Sequence, residues 1–406
     1  MTLRLSTQSM YMQGLNSLLG RQGEIARLQQ QINSGVKLTQ GKDDPVGMAT
    51  AQRLDHLQAA LTQYDSNAQR VDHRLRMQEN ALTDANDSLT RARELAIQAN
   101  SGALGPDDRK AIATEVLQLR RNLLDIANRD DGNGRRLFAG TRDGVIPFSD
   151  NAGSVIYHGD DGRNAVEVGP DVAIEDGDPG SAVFLRVRTG DGYARGSAGA
   201  GNTGSGLLNG AQATDASTWN GDALTLRFTA PNAYEIVDAA GNPLAPPVTG
   251  SWTSGSAVPP ASAGLGVEFS ISGSPAVGDT FTVETAPNQD VFATLQAFAD
   301  ALLLPGSGPA DNARRANAFG AAIGDITTAQ GHMLSLRSGV GARMNDIDTA
   351  DDGRSLQSVT LAESLASLRD TNYAEAISRL NMQLLALEAA QKTMLQTQGM
   401  SLFNKL

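Results

Sequence analysis

From Tyr373 onward the apolar residues recur at Ile377, Leu380, Leu384, Leu387 and Met394, with Gln391 the one polar member of the series. Alternating steps of three and four place them on one narrow face of a helix, the pattern of a coiled-coil seam. Away from that stripe, beyond Leu380, only Glu388, Lys392 and Lys405 carry charge. A helix face bathed in water normally carries more, so this helix is expected to be packed on several sides. The beginning of the chain has the same character. Ser6 and Thr7 are suited to cap a helix, and Gln8 to Asn33 set Leu18, Ile25, Leu28 and Ile32 at seam spacing among six Gln, with Arg21, Glu24 and Arg27 as the only charges. Two ends of like character predict that they pair, and these nine apolar residues are the ones expected to form the seam and to meet other subunits.

Between the ends the pattern changes twice. Ser34 to Ala49 (SGVKLTQGKDDPVGMA) reads as a turn-rich spacer that ends at a helix start, with Pro45 in the first turn. One heptad frame then holds Leu57, Leu61, Tyr64, Ala68, Val71, Leu75, Leu82, Ala85, Leu89, Ala92, Ala96 and Ala99, broken only by Gln78, and it leaves Arg74 on the outer face. Pro106, Asp107 and Asp108 open another helix, with anions at the positive end of its dipole, and Ile112, Val116, Leu119, Leu123 and Ile126 continue the rhythm. After Pro309 a second long frame holds Phe319, Ile323, Ile326, Met333, Val340, Met344 and Ile347, the natural antiparallel partner of the first. Asp351 and Asp352 read as the start of the following helix.

The middle is of another kind: eleven of fifteen prolines and 23 of 43 glycines lie between Thr141 and Asp290. Ala182–Arg188, Ala223–Phe228, Tyr234–Val237, Val267–Ile271 and Thr280–Glu284 alternate as strands do, Asp238–Pro243 reads as a hairpin loop, and Gly190–Gly210 and Gly250–Gly264 read as flexible loops. Val291 to Leu304 is helical again. The expected fold is mainly α with an inserted β domain: long paired helices, comprising a coiled-coil-like terminal domain and a helical bundle, around a central β-rich domain. The corresponding domains are 1–44 with 353–406, 45–149 with 286–352, and 150–285. Residues 150–263 are expected to be removable as an insertion.

Composition narrows the function. A net charge of −12 disfavours nucleic acid, and no apolar run approaches the roughly twenty residues of a membrane span. With no cysteine there is no thiol chemistry. Gly199–Gly204 matches a dinucleotide fingerprint but neither follows a strand nor opens a helix, and Gly35–Asp43 fails as a phosphate loop because five residues separate its glycines and Asp43 stands where Ser or Thr should be. The histidines, His56, His73, His158 and His332, lack metal-ligand spacing, and Asp130, Asp131 and Asn133 lack the terminal Glu of a calcium loop. Neither catalytic residues nor a cofactor or metal is expected. The one feature favouring a different class, a secreted glycan-binding module, is the pair Trp219 and Trp252 in the β region.

The spacer Ser34–Ala49, with its SG, KL, KDDP and GxA, resembles the flagellin family. Three further segments resemble the hook-associated members of that family rather than its filament subunit: Tyr373–Leu406 (YAEAISRLNMQ, ALEAAQKT, QGMSLFNKL), Leu137–Thr141 (LFAGT) followed by Pro147 and Phe148, and Gly266–Val283. The resemblance covers about 1–148 and 266–406. It implies a flagellin-like fold and a non-enzymatic structural subunit of the bacterial flagellum. It further implies secretion through the flagellar type III export apparatus with an export chaperone, and assembly as a homo-oligomeric ring between the first hook-associated protein and flagellin. Filament flagellin itself is the alternative within the family.

Overall fold

The computed structural model describes residues 7–38, 42, 44–101, 104–151, 153–215 and 217–403. Six helices form: α1 (Thr7–Ser34), α2 (Pro45–Asn100), α3 (Pro106–Ala127), α4 (Val291–Leu302), α5 (Pro309–Arg369) and α6 (Tyr373–Phe403). Their starts follow local chemistry. Asp44 Oδ1 accepts from the amides of Val46 and Gly47 at 3.1 and 2.9 Å, Asp108 Oδ2 accepts from Gly105 N at 3.1 Å, and Asp290 caps α4 through Ala293 N. Contacts divide the described chain into two units, one up to Ser66 and from Ala350 on, the other Asn67–Thr349. Both divisions fall inside continuous helices.

The expected helix start at Asp351 is overturned, since α5 runs unbroken from Pro309 to Arg369. The acidic pair and Gly353 are tolerated in mid-helix because Arg354, 5% exposed, takes Asp351 at 2.9 Å and reaches Asp65 on α2 at 3.7 Å. In the same unit Gln58 meets Ser358 at 2.9 Å and Arg369 meets Asp55 at 2.9 Å. In the other unit Glu79 meets Arg337 at 2.6 Å, Thr90 meets Gln330 at 2.8 Å and Arg93 meets Thr327 at 3.0 Å. Numbers rise on α2 as they fall on α5, so within each unit the two helices are antiparallel. The frame from Leu61 to Ala99 is inside apart from half-buried Tyr64, whereas Leu57, expected in the same seam, is exposed.

Unit 67–349 carries the strands. Two hairpins, β1 (Phe148–Asn151) with β2 (Ser154–Tyr157) and β3 (Ala165–Gly169) with β4 (Val172–Glu175), precede a π-turn at Ser181–Leu185. That turn replaces most of the strand expected over Ala182–Arg188. Phe184 is drawn into a ring cluster with Phe138, Phe148 and Phe292, which a straight strand would not permit. The chain then enters a β module through β5 (Val187–Arg188). It continues through β6 (Ala194–Ala198), β7 (Leu207–Ala213), β8 (Leu224–Ala230), β9 (Ala233–Val237), β10 (Pro243–Ser251), β11 (Ala257–Val258), β12 (Val267–Ser272) and β13 (Thr280–Thr285), and leaves through β14 (Asn288–Gln289), which pairs with β5. The sheets run β10-β9-β8-β13-β6 and β11-β12-β7, and share one core of Phe228, Phe269, Phe281, Ile236 and their neighbours. Gly190–Gly210, expected to be loop, contains β6 and the start of β7. Their Ala, Gly and Ser residues carry little strand signal, and long-range pairing to β13 and β12 supplies what local sequence lacks.

Polar groups tie the module and the second hairpin to the helices of this unit. Asp325 on α5 is 5% exposed and accepts from Gly190 N at 2.7 Å and from Arg195 at 2.8 Å, while Asn317 accepts from Leu208 N at 2.8 Å and donates to Gly206 O at 3.0 Å. Arg74, expected on an outer face, is instead 7% exposed: it donates to Arg136 O at 2.9 Å and lies 3.5 Å from Asp176 and 3.8 Å from Asp131. Beside it Gln78, the polar break in the heptad frame, donates to Asp178 at 3.2 Å, and Asp178 also holds Arg343 and, at 3.3 Å, Arg163. The turn after α3, with Asp131 and Arg136, and the loop after β4, with Asp176 and Asp178, explain both exceptions on α2. A heptad count sees only the partner helix.

Four outcomes are expected. Leu75→Ala and Leu82→Ala, both fully buried, each lower unfolding free energy by about 2 to 5 kcal/mol in denaturant titration, and Arg74→Ala also destabilises, by about 3 kcal/mol, because it removes the buried cation that faces Asp176 and Asp131. Joining Arg188 to Asn288 through a short glycine linker leaves a folded helical remainder by circular dichroism, because those residues are paired at the module's base. Removing 150–263 instead unfolds the remainder, since it takes β6 and β8 from either side of β13 and strips Asp150 from buried Arg120. Finally, burial raises the Asp325 carboxyl against the opposing pull of Gly190 N and Arg195. The folded chain therefore holds that proton more tightly than the unfolded one, whose Asp titrates near ~3.9, and this contribution to stability is full below that value and lost as pH rises through the raised one. Asp325→Asn removes that slope, so stability measured against pH shows the variant gaining on the native chain from about pH 4 upward.

Candidate assembly surface

The residues expected to form the seam are brought together by α1 and α6, which pack on each other in the unit formed by the chain ends. Arg21 donates to Gln383 at 3.3 Å, and this antiparallel register sets Leu18 level with Leu387, Ile25 with Leu380 and Leu28 with Ala376. Ile25 and Leu28 are buried, while Leu18, Ile32, Leu380, Leu387 and Met394 are half-buried. The stripe of α6 facing α1 is therefore Ala376, Leu380, Gln383, Leu387, Ala390 and Met394. Ile377 and Leu384, expected in the seam, lie beside it with 46% and 44% of their surface exposed. Small residues at 376 and 390 let the helices approach, and the larger neighbours are displaced outward; a heptad count favours large residues and so selects the adjacent stripe. With Met382, Leu385 and Leu395 they make α6 apolar on faces that α1 does not cover, and α1 adds Met12 and Leu19.

Where the helices stop, the chain is stitched. Ser34 is followed by Gly35 at φ +72°, whose amide returns to Gln31 O at 2.9 Å, and Val36 bridges Asp370 in antiparallel fashion. Lys37 N donates to Arg369 O at 2.7 Å and Thr371 N to Gly35 O at 2.8 Å. Gln31, itself buried, donates to Lys37 O at 2.8 Å, and its own carbonyl accepts from the hydroxyl of buried Thr371 at 3.2 Å. Sequence reasoning found the Ser-Gly turn but not its partner. The signal was there in Asn372-x-x-Glu375, where Asn372 caps α6 by accepting from Glu375 N at 3.3 Å.

Electrostatics separates the two units. The sequence up to Ser66 and from Ala350 carries eleven Lys and Arg against eleven Asp and Glu, so the entire net charge of −12 belongs to the other unit, with 22 against 34. The end unit thus joins neutrality to exposed apolar surface, the combination that lets copies of one surface approach without repulsion. Nothing comparable favours chemistry. No group of three or more His, Cys, Asp or Glu able to hold a metal occurs among the described residues. Ser149 Oγ lies 2.8 Å from His158 Nε2, but on an exposed hairpin outside the cavities lined by Arg195 and Asn317 and by Arg109 and Phe319. Trp219 and Trp252 are 8% and 6% exposed, packed in the core of the β module, where neither offers an open face for a sugar.

Residues 5–143 match the bacterial flagellin N-terminal helical region. The chain is 23% identical to flagellar hook-associated protein 3 of Escherichia coli (strain K12) over 402 residues, 99% of both chains. It is 41% identical to FlgL of Xanthomonas campestris, whose crystal structure superposes with a TM-score of 0.71 over 77% of this chain and 99% of that one. The chain belongs to the hook-associated protein 3 (FlgL) family. The flagellar junction protein FlgL from Legionella pneumophila is a further member of similar fold, 28% identical with a TM-score of 0.70 over 79% of this chain and 100% of that one. Members of this family are structural components of the extracellular flagellum, not enzymes.

Proposed function

We propose that this chain is the subunit that joins hook to filament, a ring of copies seated between the first hook-associated protein and flagellin. Support comes above all from its correspondence with FlgL proteins along almost their whole length, where the match to the flagellin helical region alone would suit a filament subunit equally. In this reading the α1/α6 pair is the polymerisation element. Its inner seam, Leu18, Ile25, Leu28, Ile32, Leu380, Leu387 and Met394, holds the ends together, while Ile377 and Leu384 face neighbouring subunits. Export runs through the flagellar type III apparatus, with a chaperone on the apolar faces of α6 until assembly. The β module is an outward-facing appendage that contributes no catalysis.

A strain lacking the gene should, by electron microscopy, keep hooks but lose filaments, with flagellin appearing unpolymerised in the medium. Retained filaments would refute the junction role. Complementation with an Ile377→Ser, Leu384→Ser double variant should restore secretion of the subunit but not motility. The purified variant should melt within about 0.5 kcal/mol of the native chain, because both side chains are already largely in water.

A further inference from the structure

Three Asn-Gly pairs occur in the chain, at 133–134, 209–210 and 220–221. Glycine places no side chain beside its own amide nitrogen, so in such a pair that nitrogen can reach the preceding carboxamide carbon. The attack asks three things of the fold: a glycine amide that is not donating, a carboxamide that is not held, and room for the backbone to turn. Asn209 lies in β7, where its Oδ1 accepts from Ser272 Oγ at 3.2 Å and Gly210 is registered against Ser270 of β12. Asn220 is held at both ends of its carboxamide, which donates to Asp222 Oδ2 at 2.7 Å and accepts from Asp222 N at 3.1 Å. Thr285 donates to Gly221 O at 2.8 Å, and a Cβ at 221 would collide with that hydroxyl. Asn133 is free of such restraint. In the turn after α3 it is exposed together with Gly132 and Gly134, and neither its carboxamide nor the Gly134 amide makes a hydrogen bond among the described residues. Both glycines have positive φ, and a Cβ at either would meet nothing within 4 Å.

We propose that Asn133 is a site of spontaneous deamidation, and that its isoaspartyl product loosens the turn on which buried Arg74 depends. The Gly134 nitrogen gives up its proton to hydroxide and bonds to Asn133 Cγ, ammonia leaves from that carbon, and a cyclic succinimide results. Water then opens the ring, with no oxidant or reductant involved. Cleavage at the Cγ–N bond leaves an aspartyl residue, whereas cleavage at the backbone carbonyl leaves an isoaspartyl residue and routes the chain through Cβ and Cγ, one backbone atom longer. That extra atom falls inside a closed turn. Asp131 Oδ1 accepts from Asn133 N at 2.9 Å and Arg135 N at 3.2 Å, and Asp131 N donates to Arg135 O at 2.9 Å, so the bonds that close the turn span the altered link. Arg136 comes next, and its carbonyl accepts from Arg74 at 2.9 Å, while Asp131 itself lies 3.8 Å from that buried guanidinium. Displacing either takes a partner from a buried cation, the costly way to break such a set. The aspartyl product keeps the backbone length and adds its charge in water. None of this depends on the junction role.

The test holds the full-length chain at mildly alkaline pH in buffer and, in parallel, in guanidinium chloride, and follows amide loss at each pair by peptide mapping with mass spectrometry. Asn133 should lose its amide at nearly the denatured rate, while folding slows Asn209 and Asn220 at least about tenfold. An isoaspartyl methyltransferase should then label the peptide around 133. In denaturant titration the aged chain should unfold at a lower midpoint, fresh Asn133→Asp should unfold at the native one, and Asn133→Ser should age without loss. Aged Arg74→Ala should lose little beyond its own deficit. The proposal is overturned if folding slows Asn133 as much as the other two or if the isoaspartyl chain keeps the native midpoint. It is equally overturned if fresh Asn133→Asp or aged Asn133→Ser loses as much as the aged native chain, or if the losses from ageing and from Arg74→Ala add in full.

Discussion

Every other feature depends on the antiparallel packing of α2 against α5. Helices in proteins draw most of their stability from packing rather than from propensity, and these two keep helical form through sequences that invite breaks, such as Asp351-Asp352-Gly353, because each supplies the other with a partner face. In the unit of the chain ends the pair sets Asp55 against Arg369, and just beyond α2 Lys37 reaches Ser367 O, where α1 lies beside α6. In the other unit it provides the floor on which α3, α4, the hairpins and the β module are placed. The frame of Leu75, Leu82, Leu89 and Ile326, Met333, Val340 is fully dry, and among the described residues of α1 and α6 only Ile25, Leu28 and Ala376 are buried apolar groups.

On this rigid frame polar groups do the positioning. Asp325 and Asn317 hold the turns of the β module, and Asp178 gathers Arg343, Arg163 and Gln78. Buried charge is costly and directional, so such groups add little net stability but admit one arrangement. Among the described residues the densest run of exposed large apolar side chains is on α6, with Tyr373, Ile377, Met382, Leu384, Leu385 and Leu395, in the unit with no net charge. Dry packing and exposed apolar surface are thereby concentrated in different parts of the described chain.

Local pattern sufficed wherever the partner was another helix presenting a continuous face. The starts at Pro45 and Pro106, the long frames, the strands around Phe228, Phe269 and Phe281, and the pairing of the ends all follow from spacing and capping, because periodicity records which side of an element is dry. It does not record what makes that side dry. Arg74 and Gln78 face the turn after α3 and the loop after β4, Phe184 is pulled into a ring cluster, and Ala194–Ala198 becomes a strand only because β13 offers an edge. Ile377 and Leu384 yield the seam to Ala376 and Gln383 because close approach favours the smaller side. These choices are made by residues tens to hundreds of positions away, and only the tertiary structure brings them within reach.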